Sequence, residues 1–546
     1  MRLERASPGW QEPASVEVQV GMETSKPDSA IAEPAPSRPW WETRVAVAAA
    51  ILLAFLPLLY PPVPPLVDLL GHMGRYRVEL DLANSPALRQ FYEFRWAPIG
   101  NLGVDLLVYP LGKLLGLELA VKLITLSIAP LTVAGMLWVA REVHHRIPPT
   151  AYFALPFVFG HPFLFGFANF ALSMALAFLA FGLWLRLARL GRLKLRALLF
   201  VPIGFLLYFC HTFGWGMLGL LCFSAEAVRR HDAGTSWWKA GLGAIPQAAV
   251  MAGPIAFILA WRSDIDQGMT HDWFNWDLKL TWLLSALRDR WKVLDVAMLA
   301  TAVAVFAGAV LSPRLDFSRN LAFSAIVLAI AFILIPWTVF GSAFADMRLV
   351  PYFMAVTLLA IRVRPGSGLV HAWGIALAAF LFFGVKVAAT TVSLAIASNE
   401  QEARMQALRH IPEGARLVTL VGQDCSTAWP LFRNSHIPAM ALVRREAFAN
   451  DQWAVEGANL LTVTYYAAGF FQSDPSQMVK SATCRALPMK TIDWSLRAIP
   501  REAFDFVWLV DPPPFDEASA AGLTPLWRGE GSVLYAVDRQ GKEQGQ

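Results

Sequence analysis

The sequence predicts an all-α polytopic membrane protein of about eleven transmembrane helices, followed by a small α/β extracytoplasmic C-terminal domain. Hydrophobic residues make up 56% of the 546 residues, charged residues only 16%, and the mean hydropathy is +0.46. Soluble domains carry about 25% charged residues, so this composition indicates a chain that lies mostly in lipid. The apolar residues are gathered into runs of membrane length, and the tail from residue 398 lacks such runs.

Eleven apolar runs are long enough to cross the hydrocarbon core of a bilayer as helices. They lie near 45–62, 118–140, 149–166, 170–186, 197–211, 214–228, 240–260, 292–311, 320–337, 348–363 and 368–397. These runs define a predicted transmembrane domain at 44–397. Residues 1–43 are polar, rich in Pro, Ser and Glu, and lack the apolar core of a signal peptide. That composition predicts a disordered cytoplasmic N-terminal tail.

The Lys and Arg residues of the connections predict the orientation. Every second connection, starting after the second run, is rich in these residues, with 14 in 44 residues. The opposite connections hold 10 in 102 residues. The basic connections are therefore assigned to the cytoplasm, which places the N-terminus inside. With an odd number of spans, the first loop (63–117) and the tail (398–546) are then extracytoplasmic, and the chain is integral to the plasma (inner) membrane.

The tail from 398 to 546 is predicted to be a small folded domain. The runs "ARLVTLVG", "FDFVWLVD" and "SVLYAVD" are β-branched or aromatic and are bounded by Gly, Pro or Asp, as strands are. Cys425 and Cys484 lie in this domain, on the oxidising side of the membrane, whereas Cys210 and Cys222 lie in predicted spans. A disulfide between Cys425 and Cys484 is therefore expected, with two free thiols as the alternative.

The first loop begins with a polar pattern directly after a span, in the stretch "PPLVDLLGHMGRYRVELD". On a helix, the spacing of Asp68, His72, Arg75 and Glu79 places all four side chains on one face. The leucines between them supply an apolar counter-face, which predicts an amphipathic helix at the membrane surface. Asp68 lies within apolar turns, and a solvated charge has no need of that position. We therefore interpret Asp68 as functional.

Further polar groups collect at the same predicted depth. The first loop continues with Glu93, Arg95, Asn101 and Asp105, and the last two begin another amphipathic run that ends near Gly116. The second extracytoplasmic loop, near 261–291, has Trp spacing typical of a helix lying on the surface. Asn169, His211 and Arg348 lie at the extracytoplasmic ends of spans.

Each of these residues also has a structural interpretation. His211 alone fits a hydrogen-bonded packing histidine, and Asn169 fits a helix cap. Arg348 fits either a loop or a site for an anionic lipid head group. The sequence lacks the motifs for nucleotide phosphates, for H-E-x-x-H metallopeptidases and for G-x-S-x-G hydrolases. Nucleic acid is excluded as a partner, because the net charge of +5 is spread over short loops and forms no basic patch.

The order of these parts resembles the GT-C superfamily of polyprenyl-phosphate-sugar-dependent bacterial membrane glycosyltransferases. The similarity is carried by a first span followed by "VDLLGHMGRY", a long first loop with "FYEFRWAPIGNLGVDLL", a "GFANF" turn, many further spans and a C-terminal domain outside the membrane. In that superfamily an acidic residue of the first loop is the catalytic base, and Asp68 matches it. The resemblance implies an inverting glycosyltransferase.

The residues fit this chemistry. A general base must take the proton of the acceptor hydroxyl, and cations or hydrogen-bond donors must hold the departing phosphate. Asp68 is the predicted base. The predicted substrate-binding residues are His72, Arg75, Glu93, Arg95, Asn101, Asp105, Asn169, His211 and Arg348. The implied partners are a polyprenyl-phosphate sugar donor, membrane lipid, and a glycan, lipid or protein acceptor. No cofactor is required by the sequence, and a divalent metal is left open because Asp68 lacks an adjacent second acid.

Two other functions compete with this hypothesis. A transporter or flippase for a lipid-linked or anionic solute would show repeats and broken spans around a mid-membrane site, and no internal repeat is seen here. A non-catalytic assembly subunit would use its C-terminal domain to bind a partner.

Overall fold

Helices form most of the part of the chain that the computed structural model describes, which is residues 38–538 without 262–269, 340, 365, 368, 426–428 and 454–459. Of the predicted tail 1–43, residues 1–37 lie outside the described residues. A 3-10 helix at Trp40–Glu42 precedes the first α-helix. The Thr43 hydroxyl caps that helix by accepting a hydrogen bond from the Ala46 N–H at 3.2 Å. Trp41 is buried, so packing already begins at residues 40–42.

The described elements up to residue 405 are mainly helices with three short strands. The helices are α1 (Arg44–Leu53), α2 (Leu56–Leu59), α3 (Leu69–Asp81), α4 (Pro86–Arg89), α5 (Gly103–Leu115), α6 (Leu117–His144), α7 (His161–Phe165), α8 (Ala168–Arg189), α9 (Leu193–Cys210), α10 (Thr212–Asp232), α11 (Trp237–Ala248), α12 (Pro254–Trp261), α13 (Trp276–Leu284), α14 (Lys292–Leu311), α15 (Arg319–Leu334), α16 (Val350–Leu359) and α17 (Leu369–Met405). The strands are β1 (Tyr92–Phe94), β2 (Leu315–Phe317) and β3 (Ile361–Val363).

Within the described residues, five helices are long and apolar enough to cross a membrane. They are Leu117–His144, Ala168–Arg189, Leu193–Cys210, Lys292–Leu311 and Val370–His410. Three shorter apolar helical segments lie at Arg44–Leu59, Arg319–Leu334 and Met347–Leu359. All eight coincide with predicted spans, and the chain is an integral membrane protein. The predicted number of eleven spans is not confirmed.

Two of the remaining predicted spans are not continuous α-helices. The run 149–166 forms a 3-10 helix at Pro149–Phe159 followed by the short α7. The run 240–260 is divided into α11, a 3-10 turn at Ala249–Met251 and α12, which begins at Pro254. Proline lacks a backbone N–H and clashes with the preceding turn, and hydropathy does not record either effect. The run 214–228 does lie in one helix, the 21-residue α10.

The C-terminal region, residues 398–538, contains a six-stranded sheet, so the prediction of strands there is confirmed. Its elements are β4 (Leu417–Gly422), α18 (Ala439–Arg445), β5 (Leu461–Val463), β6 (Met478–Lys480), β7 (Lys490–Thr491), α19 (Ile492–Ala498), β8 (Phe506–Val510), β9 (Leu523–Gly529) and β10 (Ser532–Val537). The strand order is β7-β6-β4-β8-β10-β9, parallel from β7 to β8 and antiparallel from β8 to β9. The three runs predicted as strands are β4, β8 and β10. Cys425 and Cys484 form a disulfide.

The C-terminal region packs onto the first loop. Strand β1 of the loop pairs antiparallel with β5, with Tyr92 opposite Val463, and α18 lies against α3. Most of α3 is buried, including the polar residues Arg75 and Glu79. The expectation of an amphipathic α3 lying on the membrane surface is therefore wrong, because the C-terminal region covers it.

The second loop contains the predicted surface helix in part. Helix α13 corresponds to it, and residues 262–269 lie outside the described residues. Its first residue, Trp276, and the preceding Trp273 are more than half exposed. Exposed tryptophans suit the interface between membrane and water.

A buried ion pair fastens the C-terminal region to the helices. The Arg433 guanidinium contacts the Asp289 carboxylate at 2.7 Å, and both side chains are almost fully buried. The same guanidinium donates a hydrogen bond to the Pro65 carbonyl at 2.7 Å, and the Ser393 hydroxyl donates one to Asp289 at 2.6 Å. One arginine therefore joins the C-terminal region, the first loop and the segment before α14.

We expect Arg433→Met to lower the free energy of unfolding by about 3–5 kcal/mol, because the substitution leaves the buried Asp289 charge without its partner. Thermal unfolding of the purified protein in detergent measures the loss. The matched control is Arg362→Met, which breaks an exposed pair with Asp316 and should cost less than about 1 kcal/mol. Equal losses in the two variants would contradict the assignment of Arg433.

Candidate active site

Asp68 is held at the start of α3 by contacts with the turn between α7 and α8. Its backbone N–H donates a hydrogen bond to the Phe165 carbonyl at 2.8 Å. Gly166 in this turn has φ of 100°, and a Cβ there would lie 2.7 Å from the Asp68 nitrogen. Only glycine combines this conformation with such a close approach. The predicted "GFANF" turn therefore fixes the position of Asp68.

The Asp68 carboxylate faces a histidine from the C-terminal region. His436 Nε2 lies 3.8 Å from Asp68 Oδ1, and the two side chains are 6% and 15% exposed. On the other side of the ring, His436 Nδ1 lies 3.2 Å from the Asp451 carbonyl and 3.5 Å from Asp451 Oδ2. Asp451 is fully buried and accepts a hydrogen bond from the Ala439 N–H at 3.0 Å. The imidazole is thus placed between two carboxylates.

The surroundings shift the pKa values of both groups toward neutrality or above it. Burial raises the pKa of Asp68 to about 7, with the His436 and Arg348 charges opposing the rise and the Asp474 charge adding to it. Burial lowers the pKa of His436, but the hydrogen bond with Asp451 and the charges of Asp474, Asp451 and Asp68 outweigh burial and raise it to about 9. At neutral pH, an imidazolium therefore lies beside a carboxyl group that is near its titration midpoint.

Arg348 is a buried cation at the start of α16. Its guanidinium lies over the rings of Phe167, Phe213 and Phe170, at 4.5, 5.5 and 6.0 Å from their centroids. Nη2 donates a hydrogen bond to the Ser342 hydroxyl at 3.2 Å, and Nε has no partner among the described residues. The aromatic rings stabilise the cation and neutralise none of its charge. The site is therefore suited to an anion.

His211 packs against two of the aromatic rings that surround Arg348. Its ring lies 5.6 Å from Phe170 and 5.7 Å from Phe213. Nδ1 accepts a hydrogen bond from the Phe213 N–H at 3.1 Å, as the cap of α10. Because Nδ1 accepts this hydrogen bond, the proton of the neutral ring is on Nε2. Nε2 is therefore a hydrogen-bond donor near the aromatic rings that contact Arg348.

His72 lies one turn beyond Asp68 and packs against Trp453. The Trp453 ring is 4.9 Å from the ring of His72 and 4.4 Å from that of His436. Gly71 permits this packing, since a Cβ there would lie 2.7 Å from the Trp453 ring. Burial lowers the pKa of His72 well below its usual value, and the Arg75, His436 and Arg348 charges lower it further. His72 is therefore a neutral imidazole.

Four of the predicted substrate-binding residues contact one another. The Arg75 guanidinium lies 2.8 Å from Asp105, which is fully buried. The Asn169 amide donates hydrogen bonds to Asp105 at 3.0 Å and to the Asn101 side chain at 3.0 Å. This network joins α3, α5 and α8. The polar atoms of these side chains that form it are already hydrogen-bonded or ion-paired within the protein and are not free to bind a substrate. The contacts indicate that these residues hold α3 in place.

Glu93 and Arg95 form an ion pair with each other at 3.2 Å on the exposed side of β1. Neither makes an ion pair or hydrogen bond with Asp68 in the described part of the chain. Their predicted binding role gains no support from these contacts.

Sequence reasoning missed His436, Asp451, Asp474 and Trp453. All four belong to the C-terminal region, which was interpreted only for its strands. A weak signal was present, because His410 and His436 are the two histidines of 398–546 and "NDQW" at 450–453 gathers polar side chains near a tryptophan. Among the described residues, no group of three or more His, Cys, Asp or Glu side chains is placed to hold a metal ion.

The chain is similar to known proteins in structure and not in sequence. No protein-family model matches the chain, and no curated protein matches its sequence. The structure is similar to that of ArnT from Cupriavidus metallidurans in the apo state, with a TM-score of 0.47 and 12% identity over 90% of this chain and 97% of that chain. It is similar to ArnT from the same organism bound to undecaprenyl phosphate, with a TM-score of 0.46 and 10% identity over the same shares.

A third similar structure is the arabinofuranosyltransferase AftD from Mycobacteria. The TM-score is 0.42 and the identity 16%, over 91% of this chain and 41% of that chain.

Proposed function

We propose that the chain is an inverting membrane glycosyltransferase that moves a sugar from a polyprenyl-phosphate carrier to an acceptor on the extracytoplasmic face. The observation that carries the proposal is that one turn, between α7 and α8, contacts both a buried acid and a buried cation. The Asp68 N–H donates a hydrogen bond to the Phe165 carbonyl at 2.8 Å. The guanidinium of Arg348, which makes no ion pair within the described residues, lies over the Phe167 ring at 4.5 Å. One group is a base poised near neutral pH, and the other is a site for an anion.

The two groups have complementary roles in such a transfer. Asp68 takes the proton of an acceptor hydroxyl while the hydroxyl oxygen forms a bond to the anomeric carbon. The bond from that carbon to the phosphate oxygen breaks, and the lipid phosphate leaves with the bonding electron pair. Arg348 can engage two phosphate oxygens at once, and His211 Nε2 can donate to a third. A single displacement of this kind inverts the anomeric carbon.

An apolar cavity lined in part by α16 suits the lipid part of such a donor. It has a volume of about 580 Å³ and is lined by α14, α15 and α16, with Phe306, Phe353 and Leu358 among its residues. Helix α16 begins beside Arg348, and residues 353–358 lie about 8–15 Å further along it, at 1.5 Å per residue. A phosphate at Arg348 can therefore place its prenyl chain in this cavity.

Asp68→Asn should reduce sugar transfer by roughly 10²–10⁴-fold, because the amide keeps the size of the carboxylate but accepts no proton. The measurement is transfer of labelled sugar from a panel of polyprenyl-phosphate sugars by the purified protein in vesicles. The matched control is Asp81→Asn on the same helix, where the carboxylate is partly exposed and pairs with Arg77. Glu79, on the face predicted to meet water, is buried and is no such control. Normal transfer by Asp68→Asn would refute the base assignment.

Arg348→Lys should weaken binding of the lipid phosphate by about tenfold or more, because an ammonium has no planar fork with which to hold two phosphate oxygens. The measurement is equilibrium binding of undecaprenyl phosphate to the purified protein in detergent. Arg89→Lys, which changes an exposed arginine of the first loop, is the control. Wild-type affinity in Arg348→Lys would count against the phosphate site.

The proposed reaction requires Asp68 and the C-terminal region to lie outside the cytoplasm. A reporter that is active only in the outer compartment should be active when fused after residue 546. The same reporter should be silent when inserted near Arg189, in a connection predicted to be cytoplasmic. The reverse pattern would place Asp68 on the wrong side for this reaction.

A further inference from the structure

We propose that His436, supplied by the C-terminal region, is the positioning residue of Asp68, so that the active site is complete only when the C-terminal region is docked. This inference rests on the proposed function, since it assigns a partner to the proposed base. It also assigns the C-terminal region a direct part in the reaction.

The geometry is that of an imidazole ring held between two carboxylates. Asp451 orients the ring through Nδ1, which lies 3.2 Å from its carbonyl and 3.5 Å from its carboxylate. This leaves Nε2 directed toward Asp68 Oδ1 at 3.8 Å. A buried carboxylate beneath a histidine fixes the ring orientation and stabilises the imidazolium. The distance of 3.8 Å is longer than a hydrogen bond, so the contact is an ion pair that leaves the carboxylate oxygen available to an acceptor hydroxyl.

The ring is also held mechanically. Trp453 packs against it at 4.4 Å between centroids. Arg433 lies three residues before His436. Its guanidinium donates a hydrogen bond to the carbonyl of Pro65, which lies three residues before Asp68. The Arg433 side chain therefore joins the segment that carries Asp68 to the segment that carries His436, and this contact sets the distance between the two residues.

The charges that face this pair come from several elements. Asp68 is exposed to the charges of His436, Asp474 and Arg348, and His436 to those of Asp451, Asp474 and Asp68. His72, on the same helix as Asp68, is neutral and also feels the His436 charge. Of these charges, two cations act on Asp68 to favour its ionised form, and His436 is the larger of the two influences. Removing the imidazolium therefore removes the principal stabiliser of the Asp68 carboxylate.

The test measures the titration of Asp68 directly. Purified full-length protein in vesicles is treated with a water-soluble carbodiimide and glycine ethyl ester between pH 5 and 9, and modification of residue 68 is quantified by peptide mass spectrometry. Modification of Asp81 in the same molecule corrects for the pH dependence of the reagent. In His436→Gln, the pH of half-modification of Asp68 should rise by about one unit or more relative to the wild type.

Matched variants separate this role from a structural one. His410→Gln changes the other histidine of the C-terminal region, which is exposed and stacks on Trp527, and it should leave the Asp68 titration unchanged. Asp451→Asn keeps the His436 ring but removes the carboxylate that charges it, and it should shift the titration in the same direction as His436→Gln. If His436→Gln fails to fold, as judged by thermal unfolding, Asp451→Asn provides the same test.

Sugar transfer supplies the second readout. In wild-type protein, transfer should rise as the pH passes through about 7, because Asp68 ionises there. In His436→Gln, the rising limb should move to higher pH and transfer at pH 7 should fall about fivefold or more, with recovery at higher pH.

The two proposals fail in different ways. An unchanged Asp68 titration in both His436→Gln and Asp451→Asn would overturn the role of His436, even where Asp68→Asn has abolished transfer. Normal transfer by Asp68→Asn would overturn the function itself and, with it, the role assigned to His436.

Discussion

The Arg433 guanidinium bridges the Asp289 carboxylate and the Pro65 carbonyl, and the site described above depends on this contact. It joins three parts of the chain that are distant in sequence. Asp68 follows Pro65 by three residues, and His436 follows Arg433 by three. A charge pair at this depth is costly to desolvate, and packed hydrophobic residues of similar volume would serve stability as well. The geometry that the pair imposes on two flanking segments gives a reason for its presence.

Eight of the predicted apolar runs are helices in the structure, and two of them, α6 and α9, continue through Pro130 and Pro202. The prediction failed at 149–166 and 240–260, where prolines divide apolar runs that hydropathy treats as continuous. The strands β4, β8 and β10 were predictable because each is a short β-branched or aromatic run between turn residues. The burial of α3 was not predictable, since its polar face is covered by a region that lies more than 350 residues further along the chain.

At the candidate site, the sequence could show which polar residues lie within apolar segments, but it could not show which of them contact one another. Asp68 was identifiable because a charge within apolar turns needs a reason. Arg75, Asp105 and Asn169 carried the same signal, yet the structure joins them to each other. His436 and Asp451 gave almost no signal, because a histidine and an aspartate in a water-facing domain are unremarkable until the fold places them beside Asp68. Pairing of this kind is a property of tertiary packing, and no local pattern records it.

The buried arginines differ in whether a carboxylate neutralises their charge. The described part of the chain buries four of them, and three have a carboxylate partner: Arg75 has Asp105, Arg196 has Glu226 and Arg433 has Asp289. Arg348 makes no ion pair in the same part of the chain, and its described contacts are with three aromatic rings and the Ser342 hydroxyl. Burying an unpaired cation costs several kcal/mol, and a chain that neutralises the others has the means to neutralise this one. The exception is intelligible if the missing counter-charge arrives with a ligand, and the ligand proposed here is the anionic phosphate of a lipid.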